Sequence, residues 1–139
     1  MAKAKRGELI NRIRYEFNHT IIWSRDSMAS AAFLSRILGL SSPKRFGPFQ
    51  VVAVANGVNL DFMEKDGEIA AQHYAFLVSE EEFDQIFSRV KEEGLRYWAD
   101  PANTKEGEIN THDGGRGFYF KAPDGHMLEV ITRPYGSGG

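Results

Sequence analysis

The chain has 139 residues, 42% of them hydrophobic and 26% charged, with a formal net charge of −2. That length holds one compact domain with a real core, and the near-neutral balance offers no basic face to nucleic acid. No apolar run reaches the roughly 18–20 residues that a membrane span requires. There is no cysteine, which excludes disulfides, thiolate metal ligands and a cysteine nucleophile and fits a cytoplasmic protein.

Residues 1–14 read as a polar N-terminal arm, helical around Glu8–Ile13; Met1–Arg6 is basic, but no apolar region follows to make a secretory signal. Tyr15–Trp23 is β-branched and aromatic, the composition of a strand, with Phe17, His19, Ile21 and Trp23 on one face. Asp26 or Ser27 caps a helix whose stripe is Ala31, Leu34, Ile37 and Leu38, and Gly39 stops it. Ser41–Pro48 reads as a loop. Phe49–Ala55 and Val58–Glu64 then form two strands around Asn56-Gly57, a strong hairpin signal.

The order then repeats. Gln72–Val78 is a strand with His73, Ala75 and Leu77 on one face. Ser79 opens a helix with Glu82 at the capping-box position, and Phe83, Ile86, Phe87 and Val90 form its buried stripe. Leu95–Ala99 is a short strand and Asp100–Gly115 a long polar loop. Arg116–Phe120 and Met127–Thr132 are the last strands, joined by the Pro123-Asp124-Gly125 turn. This gives a first half over 15–66, a second over 70–133 and a flexible glycine-rich tail over 134–139.

Two such halves facing one another enclose a space lined by alternate side chains. The opening strands bring His19 and His73 to it; the closing strands bring Asp61 and Glu129. Each histidine alone reads as a strand residue satisfied by one hydrogen bond. An unpaired Glu129 in an otherwise apolar strand is costly unless it meets water or a cation. Two imidazoles and a carboxylate together read as a divalent metal site with open positions, for Fe2+, Mn2+, Zn2+, Ni2+ or Co2+.

Over Tyr15–Arg133 the chain resembles the vicinal oxygen chelate superfamily: glyoxalase I, extradiol dioxygenases, fosfomycin-resistance thiol transferases and bleomycin-resistance proteins. Asn18-His19-Thr20, Gln72-His73-Tyr74-Ala75-Phe76 and Pro123-Asp124-Gly125-His126-Met127-Leu128-Glu129 carry the likeness. It implies an α+β, glyoxalase-like fold of two βαβββ modules, a curled mixed sheet around a cavity with metal ligands His19, His73 and Glu129. It also implies a small-molecule substrate held by adjacent oxygens. A homodimer with exchanged modules is implied too, His19 and Asp61 of one chain meeting His73 and Glu129 of the other.

Which reaction follows depends on the branch. Asp61 matches a carboxylate ligand of the glyoxalase branch, as a ligand, a group behind the ligands, or a general base alongside Glu129. That favours an isomerase or lyase; a small ring-cleaving dioxygenase, a thiol transferase and a metal-free drug-binding protein are the alternatives. The thiol-transferase branch needs a cation where this chain has Ala99. Tyr119 alternates into the cavity, and the resemblance makes it a substrate contact or catalytic group; the other reading is a core ring with its hydroxyl in water. Arg116 is expected at the cavity mouth as a substrate-binding cation. Trp23 and Phe49 serve as an apolar wall or as plain core.

Overall fold

The computed structural model describes residues 15–138; the arm over 1–14 and its expected helix lie outside them. Strand β1 (His19–Ser24) alternates, with Ile22 and Ser24 buried and His19, Ile21 and Trp23 exposed. It starts later than its composition suggests, because its parallel partner β4 (Asn59–Glu64) begins opposite His19. Helix α1 (Ser27–Leu38) is capped by Asp26, whose carboxylate accepts from the Ala29 amide at 3.0 Å. Left-handed Gly39 (φ 73°) ends it, a conformation that costs glycine nothing.

β3 (Phe49–Ala53) pairs antiparallel with β4. The expected loop 41–48 contains a strand, β2 (Lys44–Phe46), pairing with β3. Lys-Arg-Phe is exposed throughout, so it has no apolar alternation to betray it. The second module repeats the first: β5 (His73–Leu77), α2 (Glu80–Glu92), β6 (Tyr97–Trp98), β7 (Gly117–Lys121) and β8 (Met127–Ile131). The Ser79/Glu82 capping box is complete at the start of α2, a device worth about 1 kcal/mol.

The strands form two four-stranded sheets, β1-β4-β3-β2 and β5-β8-β7-β6. The fold is α+β, two βαβββ modules in the expected order, with the two sheets not closed onto each other. One core serves both: α1 and α2 sit on it, Phe33 of α1 meets Phe120 of β7 at 6.5 Å between centroids, and Phe118 is enclosed by Phe83, Phe87, Tyr97 and Phe120. Because the core-facing sides of both sheets are spent on this cluster, each sheet's other face stays open. Within one chain these open faces are not closed onto each other. The open faces carry the histidines, and Phe17, Ile21, Trp23 and Leu77 remain 66%, 39%, 40% and 60% exposed.

The tail turns back on the long loop. The amides of Gly136 and Gly138 donate to the Asp113 carboxylate at 2.9 and 3.1 Å. No helix among the described residues is long and apolar enough to cross a membrane.

Candidate metal centre

Register builds the centre. In the parallel β5–β8 pair, Ala75 lies beside Glu129 and His73 beside Met127; antiparallel β7 puts Tyr119 opposite Glu129. Side chains of paired residues share a face, so His73, Glu129 and Tyr119 meet on the open side of the second sheet. The His73 Nε2 lies 3.0 Å from Glu129 Oε1, and the His73 and Tyr119 rings are 5.9 Å apart.

The other ring nitrogen decides what that contact means. His73 Nδ1 is 3.1 Å from the Met127 carbonyl oxygen, and a carbonyl only accepts, so Nδ1 carries a proton. In the neutral imidazole Nε2 is then a bare lone pair facing a carboxylate oxygen. Two acceptors at that separation need a proton or a cation between them: a proton on the ring or on the carboxyl, or a metal ion. A histidine whose Nδ1–H is tied to a carbonyl and whose Nε2 is free has the arrangement of a metal ligand. Asn18 Oδ1 likewise lies 2.7 Å from His19 Nδ1, and the His19 Nε2 has no hydrogen bond among the described residues.

The first module copies this register but not the contact. Asp61 lies beside Ile21 in β4 as Glu129 lies beside Ala75 in β8. Among the described residues no hydrogen bond joins His19 to Asp61. Asp61 is 9% exposed and its Oδ1 has no partner among the described residues, an orphaned atom of the kind a cation or a substrate hydroxyl satisfies. No three His, Asp or Glu side chains among the described residues come together within one chain. His73 and Glu129 form one pair; His19 and Asp61 belong to the other sheet.

Tyr119 joins the His73–Glu129 pair. Burial, with the Glu129 carboxylate next, pushes its hydroxyl up to about 12, so it remains an O–H donor in neutral and mildly alkaline solution. A folded-state value above the unfolded one stabilises the protein fully below pH ~10, and that stability is lost as pH rises further. Tyr119→Phe is therefore expected to flatten the alkaline decline in melting temperature between pH ~9 and ~12. An unchanged decline would assign it to another group.

The remaining expected residues divide. Trp23 and Phe49 share their sheet's open face with Asp61, by alternation along β1 and β3. Arg116 does not belong to the site, which corrects the expectation for it. It has the same parity as Phe118 and so faces the helix, where its guanidinium donates to Glu80 Oε1 and Asp84 Oδ1, both at 2.8 Å, and lies over the Phe83 ring.

Trp98 went unassigned in the sequence. Paired with Tyr119, it lies on the open side, yet is only 4% exposed, with Arg96 and Lys121 near its ring. Its alternation against core-facing Tyr97 was the signal available. An open groove of about 510 Å3 runs along β5, lined by Thr20, Val54, Leu60, His73, Ala75 and Leu77 among others. Its size suits a small molecule, and it meets the centre at His73.

The sequence matches the family described as the Glyoxalase/Bleomycin resistance protein/Dioxygenase superfamily over residues 16–130. The chain belongs to that superfamily. It is similar to a glutathione transferase, FosA, from Serratia marcescens, 30% identical over 119 residues, 81% of this chain and 77% of that protein. The structure of a protein named Oxidase ChaP-H1 is 60% identical, with a TM-score of 0.87 over 88% of this chain and 98% of that one. The fosfomycin resistance protein FosX of Listeria monocytogenes, 22% identical, superposes with a TM-score of 0.66 over 91% of this chain and 95% of its own; a point variant of it was crystallised with Mn(II). The named transferase and oxidase are enzymes, and this chain is an enzyme of the same superfamily, with a donor set suited to a divalent metal.

Proposed function

We propose that this chain is a metal-dependent oxidase that grips a small substrate through two adjacent oxygens and uses dioxygen as oxidant. The likeness to a named oxidase, 60% identical along nearly its whole length, carries the choice of reaction. It favours the oxidative alternative over the isomerase or lyase that Asp61 alone suggests. A phosphonate-directed thiol transferase is disfavoured, because Ala99, only 7% exposed, stands where a cation is needed.

In this reading His73 and Glu129 of one copy and His19 of a second copy hold the ion. Three observations support the shared site: the His73 Nε2 brought to 3.0 Å from Glu129, a His19 Nε2 without a hydrogen bond among the described residues on the other sheet, and exposed apolar side chains beside both. The bound ion would supply Lewis acidity toward the two substrate oxygens. Glu129 contributes negative charge that His73 alone lacks. Tyr119 keeps its proton and donates it as a hydrogen bond to a substrate oxygen. Asp61, brought by the second copy, is a carboxylate with an unsatisfied oxygen and takes the proton from a substrate hydroxyl. Trp23 and Phe49 form an apolar wall that keeps water from the substrate's body.

Oxygen uptake tests this. Protein loaded with Fe(II) or Mn(II) and offered catechols and ortho-hydroxy ketones is expected to consume oxygen, and His73→Ala to abolish that consumption. Lactoylglutathione formation from a hemithioacetal, without oxygen uptake, would overturn the oxidase in favour of the isomerase.

A further inference from the structure

His126 is 3% exposed and lies outside the metal centre. Its Nδ1 accepts from the Gln72 amide at 3.0 Å, and its Nε2 lies 2.9 Å from the Trp23 carbonyl oxygen. An amide N–H only donates and a carbonyl only accepts, so the ring is neutral with its proton on Nε2. That is the opposite tautomer to the one fixed on His73. The ring also meets the Tyr74 ring edge-on at 5.7 Å between centroids. A cavity of about 10 Å3 at its side, walled by Ile22, Leu34 and Phe62 among others, is mostly apolar, a poor seat for a water that could replace these bonds.

The partners of His126 flank the ligand. Gln72 immediately precedes His73, and its carbonyl accepts from the Met127 amide at 2.8 Å. The Met127 carbonyl in turn takes the His73 Nδ1–H. Met127 follows His126 in the chain, so the bonds close into a ring: His126 to Gln72, Gln72 to Met127, Met127 to the His73 imidazole. Gln72 is thereby held on both its N–H and its C=O. The second bond of His126 reaches Trp23, on the strand that carries His19.

We propose that His126 is a positioning residue: through the backbone of Gln72 and Met127 it holds the His73 imidazole aimed at the metal. This rests on His73 and Glu129 being the metal site. A leucine of similar size would fill the same core space, but it would leave the Gln72 amide and the Trp23 carbonyl without partners. The Gln72 bond governs the ligand directly, being one residue from it, whereas the Trp23 bond reaches the other module.

Two substitutions separate the bonds. In His126→Asn the side-chain oxygen falls near the place of Nδ1 and keeps an acceptor for Gln72. In His126→Gln the amide nitrogen falls near the place of Nε2 and keeps a donor for Trp23. His126→Leu removes both. Co(II) titration followed by visible absorption, well below each melting temperature, is expected to give His126→Asn an affinity within about threefold of wild type. His126→Gln and His126→Leu are expected to bind roughly 10–100-fold more weakly, the usual loss when a ligand's supporting bonds are cut. The Asn and Gln variants should melt at comparable temperatures, so stability alone could not produce the difference. If His126→Leu does not fold, the Asn and Gln pair still decides. Wild-type affinity in His126→Gln would overturn the positioning role, as would a loss that follows melting temperature through the whole series. Failure of wild-type protein to bind Co(II) would overturn the metal site itself, and is recognised because Glu129→Gln would then match wild type.

Discussion

Glu129→Gln is expected to lower Co(II) or Mn(II) affinity by about two orders of magnitude or more, a larger loss than the roughly 10–100-fold of a lost supporting bond. Glutamine keeps the shape and removes the charge that an ion between Nε2 and Oε1 requires. The fold should not suffer. The His73 and Glu129 side chains are 49% and 16% exposed, so the pair's own contribution is that of a largely solvated contact, about 0–1 kcal/mol. The glutamine amide can moreover donate to the bare His73 Nε2, replacing repulsion by a hydrogen bond. Wild type should melt at a higher temperature with metal than without, by mass action on the folded state. The variant should melt at the wild-type apo temperature and respond little to metal. An equal metal-induced gain in both proteins would move the ion elsewhere.

Much of the fold was legible because its signals are local. Asn56-Gly57 and Pro123-Asp124-Gly125 turn where backbone conformation demands them, with Gly57 and Gly125 at φ 80° and 90°. The Ser79 and Glu82 spacing marked the start of α2, and strict alternation in β1, β5 and β8 put the histidines and Glu129 on one side of their strands. What escaped notice depends on partners distant in sequence. β2 exists because β3 offers it an edge, not because Lys44-Arg45-Phe46 favours a strand. The failure of the two sheets to close follows from a core shared through Phe33 and Phe120, which neither module's pattern reveals alone.

Parity would have corrected one assignment and supplied another. Arg116 matches Phe118 and therefore faces α2, where Glu80 and Asp84, four residues apart, present their carboxylates on one helix face. Trp98 matches Tyr119 and therefore faces the open side. The pairing of His73 with Glu129 followed from the sequence; the way Met127 and Asn18 fix the histidine tautomers did not, since it depends on which carbonyl each ring meets after folding. The separation of His19 from that pair within one chain likewise follows from two open faces belonging to different sheets.

A metal site shared between two copies is tested most directly by combining two broken chains. His19→Ala and Glu129→Gln, each expressed alone, should bind Co(II) weakly. Co-expressed with different tags and purified through both, they yield a mixed dimer in which one site has an intact His73 and Glu129 from one chain and an intact His19 from the other, while the second site keeps His73 but lacks Glu129 and His19. The account predicts tight Co(II) binding at about half of the sites in the doubly purified dimer, or about one quarter after random pairing without selection. A mixed dimer that binds no more tightly than its parents, or a wild-type monomer that already holds the ion with full affinity, would contradict it.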